Sequence, residues 1–324
     1  LSSLSPQEIA GLMAEHFQLT FEQALTDVLG VVETLERQST ILPTFESAKA
    51  APQQVLGLKY FNVGDRIFSV QAPAQILEML MPLWSHRECG PQERCDKIEI
   101  QMLDAELGSL KLNGVEKVDA APPHVLLGGV YQQIIETLRP KEKWSAFIHA
   151  AAVSLHGKGV IMAAQSGSGK STLTAMLVAA GYDYHSDDIV PLTQNSQCIA
   201  PFPLPISVKP GAAKTLAALF DEINGDEKKQ TQHIIRDQSF LSDMTMAKAL
   251  VFPKYMKDAE TEFADISELD ALRRLFEDRI HFGYPIDEQR VQDFVNWVSK
   301  VPRKTLVYSK FEEAEKCLSD LLKS

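Results

Sequence analysis

The stretch from Gly159 to Leu192, GVIMAAQSGSGKSTLTAMLVAAGYDYHSDDIVPL, constrains this chain more than any other. An apolar run, Gly159 to Ala164, reads as a buried strand. The small residues of QSGSG then turn the chain, and KSTLTAMLVAAG reads as a helix that Gly181 stops. Gly167 and Gly169 allow the backbone to curl until successive N–H groups point inward, and the helix that follows adds its positive end. Such a strand–turn–helix cradles phosphate groups. Lys170 is placed to reach the β- and γ-phosphates of a nucleotide, and the Ser171 hydroxyl to ligate Mg²⁺. Ser166, Ser168 and Thr172 complete the loop's contact set. The usual Gly-x-x-x-x-Gly-Lys-Ser/Thr pattern has glycine where this chain has Ala164, and Ala is tolerable there if its φ stays negative.

An acidic pair follows the helix. Asp187 and Asp188 precede Ile189-Val190, which places them at a strand edge or turn near the loop. Adjacent carboxylates can divide labour, one holding Mg²⁺ and the other accepting a proton from an attacking hydroxyl. A turn-forming acidic pair is the plainer reading, and position after the loop's helix favours the chemical one. His149 lies in the apolar stretch FIHAAAVSLHG, where a lone histidine is more often a hydrogen-bonded core residue than a catalyst. His156 and His185 stand equally open.

Organisation supports an α/β protein. Residues 1–43 read as a small helical unit: Ser5-Pro6 opens one helix, and Thr20 caps a second with Ala24, Val28, Val31, Val32 and Leu35 on its apolar face. LPTFESAKAAPQQ reads as a linker. From residue 55 to 324 strands and helices alternate. LKYFNVGDRIFSVQAP reads as a hairpin about Gly64-Asp65, AQILEMLMPLWSH and HVLLGGVYQQIIETLR as helices, and KIEIQML as a strand. AAKTLAALFDEIN reads as a helix stopped by Gly225, and ALVFPKYM as a short strand. DALRRLFEDRI, VQDFVNWVSKV and EEAEKCLSDLL read as helices and RKTLVYS as a strand. NGDEKKQTQ, residues 224–232, is the most loop-like segment.

With 32 basic against 43 acidic residues the net charge is −11, which argues against a general nucleic-acid binder. No apolar run approaches a membrane span, and no signal peptide opens the chain, which begins at Leu1 rather than Met and so reads as trimmed or incomplete upstream. Cys89, Cys95, Cys198 and Cys317 fit no common zinc spacing and read as reduced thiols of a cytoplasmic protein.

The order of a histidine at 149, the loop at 164–171 and Asp-Asp at 187–188 resembles the catalytic core of the HPr kinase/phosphorylase family, whose fold is related to phosphoenolpyruvate carboxykinase. The resemblance is closer to the HPr kinase-like proteins found beside peptide-modification genes, including the tail kinases of lasso peptides. FPLPISVKPG, KALVFPKYM and VPRKTLVYSKFEEAEKCL carry it, over residues 56–322. It implies a mixed-sheet α/β kinase domain, ATP and Mg²⁺ as cofactors, and a homo-oligomer. It implies a Ser or Thr hydroxyl of a peptide or protein as acceptor. It also gives His149 a place near the γ-phosphate and Lys209 the role of a clamp on the transferring phosphate. On this reading Ser171 and Asp188 hold Mg²⁺ and Asp187 is the general base. Residues 1–42 resemble the C-terminal helical half of a PqqD-like peptide-recognition domain. The bifunctional enzymes carry an RGLGI-type signature that this chain replaces with APFPLPISVKPG, so the resemblance leaves phosphorylase activity, and HPr itself as substrate, open. A small-molecule kinase and a nucleotide-sensing module without transfer are the alternatives.

Overall fold

The computed structural model describes residues 14, 20, 22 and 23, and residues 55–323 without 195–196, 221–231, 237–238, 278–279 and 284–286. Most of the helical unit at residues 1–43 and the linker after it therefore lie outside the described residues. Thr20 is described. Its Oγ1 accepts from the Gln23 N–H at 3.3 Å, and its own N–H donates to Gln23 Oε1 at 3.2 Å, a reciprocal cap at the helix start the sequence predicts.

From residue 55 the protein is mixed α/β. A first sheet holds β1 (Leu56–Val63), β2 (Arg66–Pro73), β3 (Glu88–Cys89), β4 (Asp96–Met102), β5 (Gly108–Leu112) and β6 (Val115–Ala121), in the order β3-β1-β2-β4-β5-β6. The β1–β2 hairpin forms as read, with Val63 opposite Arg66 and Gly64 turning at φ +66°. A second hairpin, β5–β6, turns at Asn113-Gly114, both at positive φ; this Asn-Gly signal is present in the sequence and adds a turn to those read there. Helices α1 (Ala74–Trp84) and α2 (Pro123–Leu138) cover one face.

The centre of that core is Trp84, 1% exposed. Its ring lies 5.8 Å from Phe61, 6.1 Å from Tyr131, 5.9 Å from Phe202 and 6.3 Å from Phe240. Phe202 and Phe240 arrive from the second half of the chain. Arg139 ties that segment down, donating to the carbonyls of Phe240 (3.0 Å) and Ser242 (2.6 Å). The first sheet is thus cemented to the segments that build the site.

The second half forms β7 (Trp144–Ile148), β8 (Ala151–Leu155), β9 (Lys158–Met162), β10 (Asp183–Asp187), β11 (Val190–Thr193), β12 (Cys198–Ile199), a separate ribbon of β13 (Ile206–Val208) and β14 (Gln232–Ile234), then β15 (Thr245–Tyr255), β16 (Glu262–Asp265), β17 (Ile280–His281) and β18 (Arg303–Tyr308). The main sheet runs β10-β8-β9-β15-β12-β11-β7-β17, and β18 extends it beside β15 with β16 outside. β9, β15 and β18 are mutually parallel neighbours, and the other pairings of this sheet are antiparallel.

Two-residue alternation sorts the core into two layers. Ala151, Val153, Val160, Met162, Ala249 and Val251 pack against α3 (Lys170–Ala179) and α7 (Phe311–Lys323). Ala152, Ile161, Leu250 and Phe252 pack against α5 (Glu268–Glu277) and α6 (Glu288–Lys300). Strands buried on both faces read as continuous apolar runs, as GVIMAA does.

Three elements differ from the sequence reading, the first being the helix read at DALRRLFEDRI, which ends at Glu277 with Ile280 already in β17. The helix read at AAKTLAALFDEIN is α4 (Pro210–Leu216), begun by Pro210 at its first turn and ended at Ala217; Gly225 lies outside the described residues. The strand at ALVFPKYM starts earlier, at Thr245. It tolerates Pro253 because its ladder to β9 ends at Val251 and only the β18 side is paired beyond. All four cysteines are free thiols, and no helix among the described residues is long and apolar enough to cross a membrane.

Candidate active site

Strand β9 delivers the chain into the glycine–serine loop, and α3 leaves it. Gly167 and Gly169 both sit at φ +93°, where a side chain is strained, and Gly169 is the residue before α3. Ala164 stays outside the positive-φ region, so its replacement of glycine is without backbone cost. The loop is pinned at its far side by the Tyr255 N–H donating to the Ser168 carbonyl at 2.8 Å. Gln165, Ser166 and Gly167 remain exposed.

Behind the loop, Lys170 is only 7% exposed and its Nζ has no hydrogen-bond partner among the described residues. The carboxylates of Asp187 and Asp188 act on its charge, while its N–H donors stay open to a further anion. Asp187, the last residue of β10, is fully buried. Its Oδ2 accepts from the Ser207 N–H at 3.2 Å, and its Oδ1 has no partner among the described residues. Burial pushes its carboxyl above the ordinary carboxylate range, against the pull of Lys170 and the Ser171 hydroxyl.

Asp188 is different. It takes φ +91°, rare for a residue with a side chain. The Ser186 hydroxyl holds the turn by donating to the carbonyls of Ile189 and, at 2.9 Å, Phe202. This rotates the Asp188 side chain out of the sheet edge, 34% exposed, with Oδ1 at 3.4 Å from His149 Nε2. Burial alone would raise its carboxyl, but the hydrogen bond and charge of His149, with Lys170 behind, hold it below the ordinary value. Sheet register makes the pair: Val190 of β11 is opposite Ile148 of β7, so the residues just outside each strand end meet. Lys209, at the start of α4, is exposed, and its Nζ lies 3.5 Å from where a Cβ on Gly167 would stand.

The sequence-predicted residues are therefore brought together. His149, Ser166 to Thr172, Asp188 and Lys209 line one 320 Å³ cavity, and the fully buried Asp187 lies outside its lining. Asp187 ends the edge strand β10 and Asp188 lies in the turn after it, as read from the sequence, but Asp187 is fully buried there. Ser207, whose N–H fixes Asp187, escapes sequence reasoning, because a serine between two apolar strand residues carries no motif. His156 stands apart, at φ +51° in the β8–β9 turn, and His185 bonds Ser154 at 2.9 Å in the interior, so neither joins the site.

Two further cavities flank this one, and neither is legible in the sequence. One of 500 Å³ shares Gln165 to Ser168 and runs to Tyr255, Arg273 and Arg274. The other, of 340 Å³, shares His149 and Asp188 and is walled by α1, α2, β7 and β17. The arrangement can bind a polyanion at the loop, with a carboxylate–imidazole pair opening to a second chamber. Ser171 and Asp187, with its unpartnered oxygen, suit a divalent cation shared with bound phosphates. Among the described residues no cluster of three or more acidic, histidine or cysteine groups could hold a metal ion by itself. Comparison of the chain with protein-family models and with curated protein sequences finds no match.

Proposed function

We propose that the protein is an ATP-dependent kinase that transfers the γ-phosphate to a hydroxyl of a peptide or protein. The observation that carries this reading is the buried Lys170 ammonium, without a hydrogen-bond partner among the described residues, beneath a loop curled by two positive-φ glycines, with Asp188 lining the same cavity. An anion at the loop supplies what the ammonium lacks, and the α3 N-terminus adds to it.

The geometry supports exchanging the two aspartate roles inferred from the sequence. Asp187 is buried against Lys170 and the Ser171 hydroxyl, and Ser171 lines the phosphate cavity, so Asp187 is assigned to the metal side. Asp188 is exposed to both the phosphate cavity and the apolar one, so it suits the acceptor. Mg²⁺, held by Ser171, Asp187 and the phosphates, would neutralise charge on the nucleotide. The acceptor oxygen bonds to the γ-phosphorus as the bond to the β–γ bridging oxygen breaks and ADP leaves. The hydroxyl proton passes to the Asp188 carboxylate, steadied by His149. In a loose transition state the carboxylate chiefly orients the hydroxyl, so a low proton affinity serves. Lys209 stands over the loop as a clamp for equatorial oxygens.

The test is transfer from γ-labelled ATP. Lys170→Ala should lose nucleotide binding and transfer together. Asp188→Asn should bind nucleotide normally and lose transfer by at least about a hundredfold, and Asp187→Asn should lose the Mg²⁺ dependence of binding. An Asp188→Asn protein of undiminished activity would exclude Asp188 as the group that orients and deprotonates the acceptor.

A further inference from the structure

The 340 Å³ chamber on the far side of His149 and Asp188 has a chemistry of its own. Leu83 of α1, Val125 and Leu127 of α2, Phe147 of β7, Ile189 and Ile280 of β17 make its walls apolar. Among the described residues no lysine or arginine lines it. Its charged rim is the Asp188–His149 pair, already assigned to the reaction. Burial in the wall holds the His281 imidazole down at about 4, and its Nδ1 accepts from the Gly283 N–H at 3.0 Å, so His281 is uncharged at neutral pH. An acidic group entering this chamber would meet the Asp188 carboxylate, and among the described residues no lysine or arginine lines the chamber to hold it. A basic group would shed its hydration against hydrocarbon.

One polar atom is unsatisfied. Gln132 is 2% exposed and lines the chamber; its Nε2 donates to Glu136 at 2.9 Å, while its Oε1 has no partner among the described residues. It can accept one N–H from whatever binds. The chamber also reaches solvent past His124 and Met79, the latter 40% exposed, so a chain can enter and leave. Its volume lies at the lower end of ligand pockets, enough for one large side chain and its backbone.

We propose that this chamber seats an uncharged apolar side chain of the acceptor peptide, adjacent to the residue whose hydroxyl is phosphorylated, with Gln132 Oε1 accepting a backbone N–H. The proposal rests on the kinase reading. It makes the enzyme selective for a hydroxyl flanked by an aliphatic or aromatic residue.

Gly128 of α2 offers a direct test. It lines the chamber, its φ is ordinary, and among the described residues a Cβ there meets only His281 Cδ2, at 3.7 Å. A larger side chain at 128 therefore grows into the chamber rather than into the fold. Wild type, Gly128→Ala and Gly128→Leu would be assayed for Mg-ATP binding and for transfer from γ-labelled ATP. The acceptors would be short serine peptides with Leu, Phe, Asp or Lys beside the serine. Leu and Phe peptides should exceed Asp and Lys peptides by about ten- to a hundredfold in kcat/KM, the worth of burying one such side chain. Gly128→Leu should erase that preference and keep nucleotide affinity, with Gly128→Ala between. Transfer indifferent to the flanking residue in wild type overturns the proposal whatever the variants do, as does a Gly128→Leu protein that retains the preference. Binding of ATP with label on no peptide overturns the peptide seat and leaves the nucleotide site standing. Failure of wild type to bind Mg-ATP would sink the kinase reading first, and this one with it.

Discussion

Gly167 and Gly169 share one motif and one φ, +93°, yet their surroundings differ, and alanine should separate them. Holding an alanine at this φ costs about 1–2 kcal/mol at either position. At Gly167 the one atom near the new Cβ among the described residues is Lys209 Nζ, at 3.5 Å, the tip of a flexible side chain that can move aside. At Gly169 the new Cβ would stand 2.9 Å from Tyr255 Cβ and 3.2 Å from the Tyr308 hydroxyl. Tyr255 is anchored there by its N–H bond to Ser168, and Tyr308 is 4% exposed, so neither yields freely. Overpacking of that kind adds about 1–3 kcal/mol. Gly169→Ala should therefore cost about 2–5 kcal/mol and Gly167→Ala about 1–2 kcal/mol, measured by urea unfolding of the nucleotide-free protein under identical conditions. Nucleotide affinity should follow the same order, because the clash at 169 pushes the start of α3 away from the loop. Equal destabilisation by the two substitutions would refute the argument that the tyrosine wall, rather than φ alone, makes Gly169 obligatory.

Lys209→Ala should lower kcat about a hundredfold with a smaller change in nucleotide affinity, and Lys209→Arg should restore part of it, read by steady-state transfer to a labelled peptide. His281 should make stability pH-dependent. Its folded value of about 4 lies below the ordinary 6.5, so the unfolded chain takes the proton first. The contribution is complete above about pH 6.5 and is lost as pH falls toward 4, amounting to about 1–2 kcal/mol by pH 5. Urea unfolding at pH 7 and pH 5 should show this loss in wild type and a flatter dependence in His281→Gln; equal slopes would place the acid sensitivity elsewhere.

Local elements are legible where their cause is local. Gly64 at a hairpin turn, Pro210 at a helix start, Gly181 after α3 and the Thr20–Gln23 cap depend on one residue's conformational range or one neighbour's reach. The loop from Ala164 to Ser171 belongs to the same class. Extent is another matter: α4 stops at Leu216 although AALF continues a helical pattern.

The residues from Gly167 to Ser171 are enough to dictate a phosphate-sized concavity and the side-chain types that can serve it. Glycine's access to positive φ and a helix's unpaired N–H groups travel with a short stretch of chain. The remainder of the site came from long-range packing. The register of β7 against β11 set His149 beside Asp188. The packing of β13 over the end of β10 covers Asp187, and the positive-φ turn at Asp188 leaves its carboxylate facing out. The docking of α1 and α2 on the second half made an apolar chamber from residues as distant as Leu83 and Ile280. Each of these is a contact between segments far apart in sequence, fixed by the packing of whole sheets. No residue pattern within a single segment encodes it.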